Sequence, residues 1–114
     1  MFGNKSVKKY LPLTEAWYYI LLSLVETRHG YGIMQYVERI SNGRVKIGPG
    51  TLYGALSKME KEELIVMVLD DDKRKSYELS KQGKKILYYE IERLKELLLN
   101  GELIFTSIQE DFND

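Results

Sequence analysis

The sequence contains no cysteine, only two prolines and one histidine, and its 17 basic side chains are balanced by 17 acidic ones. The absence of cysteine excludes a disulfide scaffold, a thiolate zinc site and a cysteine nucleophile. The longest nearly apolar run, residues 16–25, is well short of the ~20 residues that span a bilayer. We therefore expect one soluble, cytoplasmic chain without a membrane span or a cleavable signal.

Catalytic and metal-binding residues are equally scarce. His29 follows the first predicted helix, where a histidine commonly compensates the helix dipole or caps the helix. The acidic run at residues 70–72 has no second group of ligands at the spacing of a calcium loop. We therefore expect neither an enzyme nor a metal or cofactor site.

The spacing of apolar residues predicts three helices in the first half of the chain. From Leu13 to Val25 they recur every three or four positions, which is typical of an amphipathic helix. A weaker helical pattern runs from Tyr31 to Ile40 and stops at the polar residues 41–43. A third helix begins near Pro49, because proline suits a first helical turn. Its predicted buried side consists of Leu52, Ala55, Leu56 and Met59.

The period of the pattern changes after the third helix. Residues 63–69, ELIVMVL, form an apolar run of β type, and three aspartates follow as a turn. Residues 76–79 then alternate polar with apolar, so that Tyr77 points into the core. The two runs predict a β-hairpin whose returning arm carries Lys73, Arg74 and Lys75.

A fourth helix follows the hairpin. Ser80 is a suitable N-cap, and Asn100-Gly101 predicts an end near Leu99. Apolar residues spaced four, three and four form a seam like that of a coiled coil. The seam consists of Leu87, Ile91, Leu94 and Leu98. A helix of this length is expected to overhang a small domain and to seek a partner. For residues 102–114 a short helix and a docked tail are both compatible with the sequence.

Three helices and a hairpin, in this order, predict a winged helix-turn-helix. The fold class is mainly α with a small β-hairpin: a DNA-binding domain at residues 1–79, then a C-terminal dimerisation helix and tail at residues 80–114. In this arrangement the third helix enters the major groove of DNA, and the hairpin meets the phosphate backbone. The predicted DNA-contacting residues are Gly50, Thr51, Tyr53, Gly54, Ser57, Lys58, Lys61, Lys73, Arg74 and Lys75.

The glycine inside the third helix supports this prediction. Gly54 costs ~1 kcal/mol relative to alanine in a helix interior, and close approach of the helix backbone to another surface would explain it. Thr51 and Ser57 can donate hydrogen bonds to phosphates, and the helix start at Gly50 adds partial positive charge. The alternative is an ordinary solvated face.

Four segments resemble the successive signatures of the PadR family of bacterial transcriptional regulators. They are HGYGI at residues 29–33, GTLYGAL at residues 50–56 with Met59-Glu60 following, Leu64-Ile65, and RKSYELSKQG at residues 74–83. The resemblance covers about residues 13 to 99 and is closest to the family's short branch, with a single C-terminal helix. It implies a winged helix-turn-helix dimer that represses transcription by occupying an operator, and it adds Tyr31 to the DNA-contacting residues. Gly48 departs from the family's common serine, so the third helix is expected to lack a side-chain N-cap.

The resemblance also implies a homodimer, in which Trp17 of the first helix packs in the core or against the fourth helix of the partner. The expected interface consists of Leu13, Trp17, Leu87, Ile91, Leu94 and Leu98. Some members of the family hold planar aromatic effectors near the dimer interface. By that likeness a pocket would be lined by Trp17, Tyr18 and Tyr88, with Tyr19 and Tyr89 beside them. The alternative for Trp17 is ordinary core packing.

The balanced total charge conceals an uneven distribution. Residues 1–50 hold seven basic and three acidic side chains, whereas residues 82–114 hold four basic and seven acidic ones. Positive charge thus lies with the predicted DNA-binding part and negative charge with the dimerisation end. This distribution predicts a double-stranded DNA partner bound with modest non-specific affinity. A winged-helix module that binds another protein through the same face stays open as an alternative.

Overall fold

The computed structural model describes residues 7–69 and 71–113. The helices are α1 (Glu15–Ser23), α2 (Gly30–Ile40), α3 (Pro49–Lys61) and α4 (Lys81–Gln109), and a 3-10 turn follows at Glu110–Phe112. The strands are β1 (Arg28–His29), β2 (Ile65–Leu69) and β3 (Lys75–Leu79). The chain is mainly helical with a small sheet, and the predicted fold class is confirmed.

The first helix is shorter than predicted at both ends. The Thr14 hydroxyl accepts the N–H of Trp17 at 3.1 Å, so that the helix begins at Glu15 instead of Leu13. At the other end Leu24 leaves helical geometry, although its side chain is buried in the core. Periodicity of apolar residues therefore extended past the true ends, because residues outside a helix also pack against the core.

His29 does not serve the end of α1, and that expectation is wrong. Arg28–His29 forms β1, which pairs antiparallel with β3. The Nδ1 atom of His29 accepts the N–H of Gly32 at 3.1 Å, which makes His29 the N-cap of α2. The role is local capping, but of the following helix.

The sheet has three antiparallel strands in the order β1-β3-β2. The predicted hairpin is present, with Ile65 opposite Leu79 and Leu69 opposite Lys75. The extra strand β1 places β3 in the centre, so that Ser76 is buried together with Tyr77. Burial along β3 therefore departs from the simple alternation that the sequence predicts.

One apolar core joins all four helices to the sheet. Its fully buried side chains include Ile20, Leu21, Leu24, Ile33, Leu52, Leu56, Met59, Leu64, Ile65 and Ile86. Since α4 contributes Ile86 and Leu87 only from its first turns, most of this helix extends beyond the core.

The last helix continues to Gln109, and the predicted end near Leu99 is wrong. An Asn-Gly pair ends a helix when its residues adopt left-handed backbone. Asn42 and Gly43 do so after α2, with φ of 54° and 77°. Asn100-Gly101 lies within the helix instead, and residues 102–109, which the sequence left unassigned, continue it.

The first turn of α4 is held against the residues that precede β2. As predicted, Ser80 is the N-cap, and its hydroxyl accepts the N–H of Gly83 at 3.0 Å. The same hydroxyl donates to the carbonyl of Glu63 at 2.7 Å, and the N–H of Ser80 donates to that of Leu64 at 2.9 Å. A Cβ on Gly83 would overlap the Leu64 carbonyl oxygen and lie 3.1 Å from its carbon.

Candidate nucleic-acid interface

The third helix has one buried side and one open side, as the sequence predicts. The buried residues Leu52, Ala55, Leu56 and Met59 are at most 8% exposed. The open side carries the exposed residues Gly50, Thr51, Gly54, Ser57, Lys58 and Lys61, and Pro49, Tyr53 and Glu60 are exposed as well. A Cβ added at Gly50 or Gly54 would meet nothing within 4 Å. Packing inside the chain therefore does not require either glycine, and the helix backbone is open to another molecule.

The start of α3 also lacks a side-chain cap. Gly48 occupies the N-cap position without a side-chain hydrogen bond, and Pro49 follows in the first turn. The expectation from the Gly48 departure is therefore confirmed. The first amide groups of a helix have no partner within it and carry partial positive charge. An external acceptor such as a phosphate oxygen would satisfy them.

A cleft of about 560 Å³ lies where α2, α3 and the wing meet, the wing being the β2–β3 hairpin. It is lined by His29, Gly30, Tyr31, Tyr53, Arg74, Lys75 and Tyr77. Tyr31 and Tyr53 are exposed at its rim. The fold thus brings together four predicted DNA-contacting residues that lie far apart in sequence.

Gly30 is the residue that lets Tyr53 reach α2. A Cβ at Gly30 would lie 2.7 Å from Cζ of Tyr53 and closer still to the phenol oxygen. The tyrosine ring therefore packs over the bare backbone at the start of α2. This contact was not predicted, since a glycine in HGYG gives no local sign of which distant side chain will cover it.

Tyr77 forms the floor of the cleft and is structural, as predicted. Its side chain belongs to the core. Burial raises the pKa of the Tyr77 phenol, and the nearby Glu60 and Tyr53 raise it further. Tyr77 therefore remains a neutral phenol at physiological pH.

The basic residues of the wing lie near its tip. Lys73, Arg74 and Lys75 are all exposed, and Lys73 has left-handed backbone with φ of 60°. Arg74 and Lys75 line the cleft, whereas the other wing lysine does not. Asp70, the first residue of the predicted turn, lies outside the described residues.

The predicted dimer seam divides into a buried and an exposed part. Leu87 belongs to the core of its own chain, and Leu13, Trp17 and Ile91 pack partly against that core. Leu94 is half-buried, and Leu98 is 63% exposed. The available part of the seam therefore begins beyond Leu87.

The seam also continues beyond its predicted end. The same spacing leads from Leu98 through Gly101 to three exposed side chains, Phe105, Ile108 and Phe112. Sequence reasoning missed these residues because it ended the helix near Leu99. The unbroken heptad spacing was the available signal.

The residues of the predicted effector pocket are distributed over several surfaces. Trp17 and Tyr18 are half-buried and pack against the core. Tyr88 lines an open groove with the lysines at the start of α4, and Tyr89 lines another groove with Leu11 and Pro12. Neither of these two grooves is lined by Trp17 or Tyr18. The effector pocket stays a prediction from family resemblance.

A buried carboxylate connects α4 to the segment before α1. Glu90, 1% exposed, accepts the N–H of Leu13 at 2.9 Å and the Arg93 guanidinium at 2.6 and 3.0 Å. Burial by itself raises the pKa of Glu90, but the hydrogen bonds from Arg93 and Leu13 outweigh it, so that the pKa lies below its usual value. The sequence signal was a glutamate on the apolar side of a helix with an arginine three positions later.

The described residues contain no cluster of three or more His, Cys, Asp or Glu side chains that could hold a metal ion. Over the same residues, no helix is long and apolar enough to cross a membrane.

The sequence matches the model of the transcriptional regulator PadR-like family over residues 20–89, more than half of the chain. A curated relative, an uncharacterized 37.1 kDa protein in transposon TN4556 of Streptomyces fradiae, is 32% identical over 69 residues. That match covers 60% of this chain and 19% of the relative, so the chain spans about a fifth of the relative's length.

Solved structures with the same fold cover most of the chain. A PadR family transcription regulator from Clostridium difficile is 25% identical, with a TM-score of 0.59 over 76% of this chain and 97% of that one. Two others agree in fold alone. RosR of H. salinarum, in the complex structure of hsRosR-S1, has a TM-score of 0.66, 21% identity and coverage of 93% and 95%. A regulator from Clostridium thermocellum has a TM-score of 0.59, 24% identity and coverage of 90% and 96%.

Proposed function

Because the chain belongs to the PadR-like family of transcriptional regulators, we propose that it binds double-stranded DNA as a homodimer and represses transcription by occupying an operator. The family consists of regulators, not of enzymes. The observation that carries the proposal is the cleft that brings together Tyr53, at the edge of the exposed face of α3, with the start of α2 and the wing. We call this part of the molecule, residues 28–79, the reading head.

The chemistry of the reading head suits DNA. The open side of α3 presents glycine, hydroxyl and lysine side chains, with Tyr53 at its edge and no exposed aliphatic residue. Insertion of this side into a major groove would bring the bare backbone at Gly54 close to base edges. Phosphates on either side would meet Lys58 from α3 and Arg74 from the wing. A docking face for another protein would be expected to expose apolar side chains here.

The second copy is proposed to dock on the far part of α4. Leu98, Phe105 and Ile108 lie on one heptad stripe of α4 and are exposed in the single chain, and Phe112 is exposed in the 3-10 turn that follows. A dimer with two-fold symmetry would present two reading heads and would bind a pseudo-palindromic site. Its half-sites would lie about one helical turn of DNA apart.

The test begins with selection of bound fragments from the organism's own DNA, which identifies the operator. Affinity for that operator is then measured between low and moderate salt. Affinity falls with salt, and this fall should become less steep when a contact is lost. On a plot of log affinity against log salt, the magnitude of the slope should decrease by about 1 for Lys58→Ala and by about 3 for joint alanine substitution of residues 73–75, since each contacting cation releases roughly one counterion.

Lys95→Ala is the matched control, because Lys95 is exposed on α4 and does not line the cleft. It should leave the slope unchanged. An unchanged slope in both reading-head variants would refute the proposed DNA-binding face. Equal effects from Lys95→Ala would show that the salt dependence reports total charge instead of contacts.

A further inference from the structure

A glycine lies inside the last helix without a reason for it in its own chain. Gly101 belongs to α4, which continues to Gln109, and glycine within a helix is destabilising relative to alanine. A Cβ added at Gly101 would meet nothing within 4 Å among the residues that the structure describes. Its backbone is ordinary right-handed helix. Neither internal packing nor backbone conformation requires glycine here, but close approach of a second molecule would.

Gly101 lies in the middle of the exposed apolar face of α4. At 100° of rotation per residue, five large apolar side chains project within about 60° of the direction of Gly101, on both sides of it. Each of them is at least 50% exposed, and they are Leu97, Leu98, Ile104, Phe105 and Ile108. The glycine is therefore a gap in this apolar face, where the backbone of another helix can come closest.

Nearer the start of α4, the same side of the helix is covered by its own chain. Four residues there are buried, namely Gly83, Ile86, Leu87 and Glu90. By the same rotation they also project within about 60° of the direction of Gly101. The core of the chain thus lies on the side of α4 that carries the exposed face. A partner helix can use this face only beyond Glu90.

The position of the core determines the direction of a second copy. In a parallel pair, the first turns of the two α4 helices would lie side by side, and each core would occupy the place of the other helix. In an antiparallel pair, each helix brings only its end to the core of its partner. The usable part, residues 91–112, has its midpoint next to Gly101. A two-fold axis at Gly101 therefore uses the whole of it.

Antiparallel pairing about Gly101 also makes the face complementary to itself. It places Leu98 of one protomer beside Phe105 of its partner, and Leu94 beside Ile108, so that large side chains pack on both sides of the glycines. The parts of α4 that cover the two cores, centred near Leu87, would then lie roughly 40 Å apart along the helices, at 1.5 Å per residue. This distance is of the order of one helical turn of DNA.

We propose that two copies of this chain cross antiparallel at Gly101, with the two glycine backbones in contact at the two-fold axis. The inference rests on the proposed homodimer and adds its direction, its register and the role of Gly101. The exposed face of α4 is covered by the same face of a second copy.

Introduced cysteines can report which positions meet, because the chain has no cysteine of its own. The variants Leu98→Cys and Phe105→Cys carry tags of different mass and are oxidised separately and after mixing. A disulfide requires Cα atoms within about 7 Å. Mixing should give a disulfide between the two variants. Neither variant should cross-link with itself, since like positions would lie about 10 Å apart along the helices.

The matched control is Leu99→Cys mixed with Phe105→Cys. Leu99 is exposed but projects away from Gly101, so that this mixture should give no disulfide. A parallel pair would give the opposite pattern for the first two variants, with cross-links within each of them and none between them.

Gly101→Ala tests the close contact itself. It adds two methyl groups per dimer where the helices are closest, and it should raise the dissociation constant of the dimer at least about tenfold. Helix content should not fall, because alanine favours a helix. Asn100→Ala is the matched control, since Asn100 is exposed and projects outside the apolar face. It should leave the dissociation constant unchanged. Sedimentation equilibrium over a concentration series measures both constants.

The outcomes separate the crossing from the homodimer. Cross-linking within each single-cysteine variant, or an unchanged dissociation constant in Gly101→Ala, would overturn the antiparallel crossing and leave the homodimer intact. A parent protein that sediments as a monomer at every concentration would overturn the homodimer, and the crossing with it.

Discussion

The reading head and the far half of α4 use apolar side chains in opposite ways. In the head, apolar helix residues such as Ile33, Leu52 and Met59 are buried and the open side of α3 is small, polar and basic, so that the head's exposed aliphatic side chains lie chiefly on β2. Residues 97–112 of the C-terminal segment expose large apolar side chains: Leu97, Leu98, Leu99, Leu103, Ile104, Phe105, Ile108 and Phe112. The head completes its own core, whereas an exposed apolar stripe of this size marks an interaction surface. The two halves of the chain therefore have different requirements for a partner.

Leu98→Lys should have the largest effect, because it places a charge in the apolar seam through which α4 is proposed to bind a second copy. A two-fold interface contains Leu98 twice, and losing the burial of both copies costs about 4 kcal/mol, roughly a thousandfold in dimer dissociation. Sedimentation should show a monomer. The control is Asn100→Lys, at an exposed polar position two residues further along α4 and off the seam, which should leave the dimer intact. If the Leu98 variant sediments like the parent, the seam is not the interface.

Gly83→Ala should weaken the joint between the two regions. The added Cβ meets the backbone carbonyl of Leu64, which cannot move aside as a side chain can. We expect a loss of about 3 kcal/mol in the free energy of unfolding in urea, at the upper end of typical overpacking. Gly54→Ala in α3 has open space around it and lies off the dimer seam, and it should raise the free energy of unfolding by about 0.5–1 kcal/mol. Similar losses in both variants would contradict the proposed close contact.

Glu90→Gln should break the second joint, between α4 and the segment before α1. It removes the buried negative charge and replaces one of the two oxygens that accept from Leu13 and Arg93 by an NH2 donor, and it should cost about 2 kcal/mol at neutral pH. Glu92→Gln, in an exposed ion pair with Lys95, should cost much less. Urea unfolding of the three proteins measures both changes.

The contribution of Glu90 should also appear in how the free energy of unfolding of the parent depends on pH. The pKa of Glu90 is lower in the folded chain than its ordinary value of 4.5. Its stabilisation is therefore complete above the unfolded pKa and is lost as pH falls through the folded one. Unfolding free energies measured from neutral to acidic pH should fall less steeply in Glu90→Gln than in the parent. Parallel curves would show that Glu90 titrates alike in both states.

Gly54→Ala should have the smallest effect on stability, which it should raise slightly, and it should weaken operator binding. Its site is open, so alanine should raise the free energy of unfolding by about 0.5–1 kcal/mol. Operator affinity should fall, because a methyl group would stand between the α3 backbone and DNA. Thermal unfolding and operator titration of one preparation measure both. Unchanged affinity would show that the helix does not approach DNA closely at this position.

The features that were predicted correctly depend on neighbouring residues. The buried side of α3 follows from a helical repeat, the Ser80 cap from a hydroxyl before the helix, and the missing cap at Gly48 from its lack of a side chain. The failures depend on distant ones. Arg28–His29 forms a strand only through its pairing with β3, and Gly30 is covered by Tyr53 from another helix. No local sequence pattern predicts such long-range contacts.

The two Asn-Gly pairs show the difference between what the local sequence determines and what the tertiary structure determines. The sequence by itself determined the apolar faces, the hairpin, the polar side of α3 and the family. The sequence also predicted that Asn42-Gly43 ends a helix, but only the tertiary structure decided that Asn100-Gly101 lies inside one. It also decided that Glu90 is buried and that Tyr31, Tyr53, Arg74 and Lys75 share a cleft. The physical reason is that periodicity and capping act within a few residues, whereas burial and pairing depend on which distant segments the folded chain brings into contact.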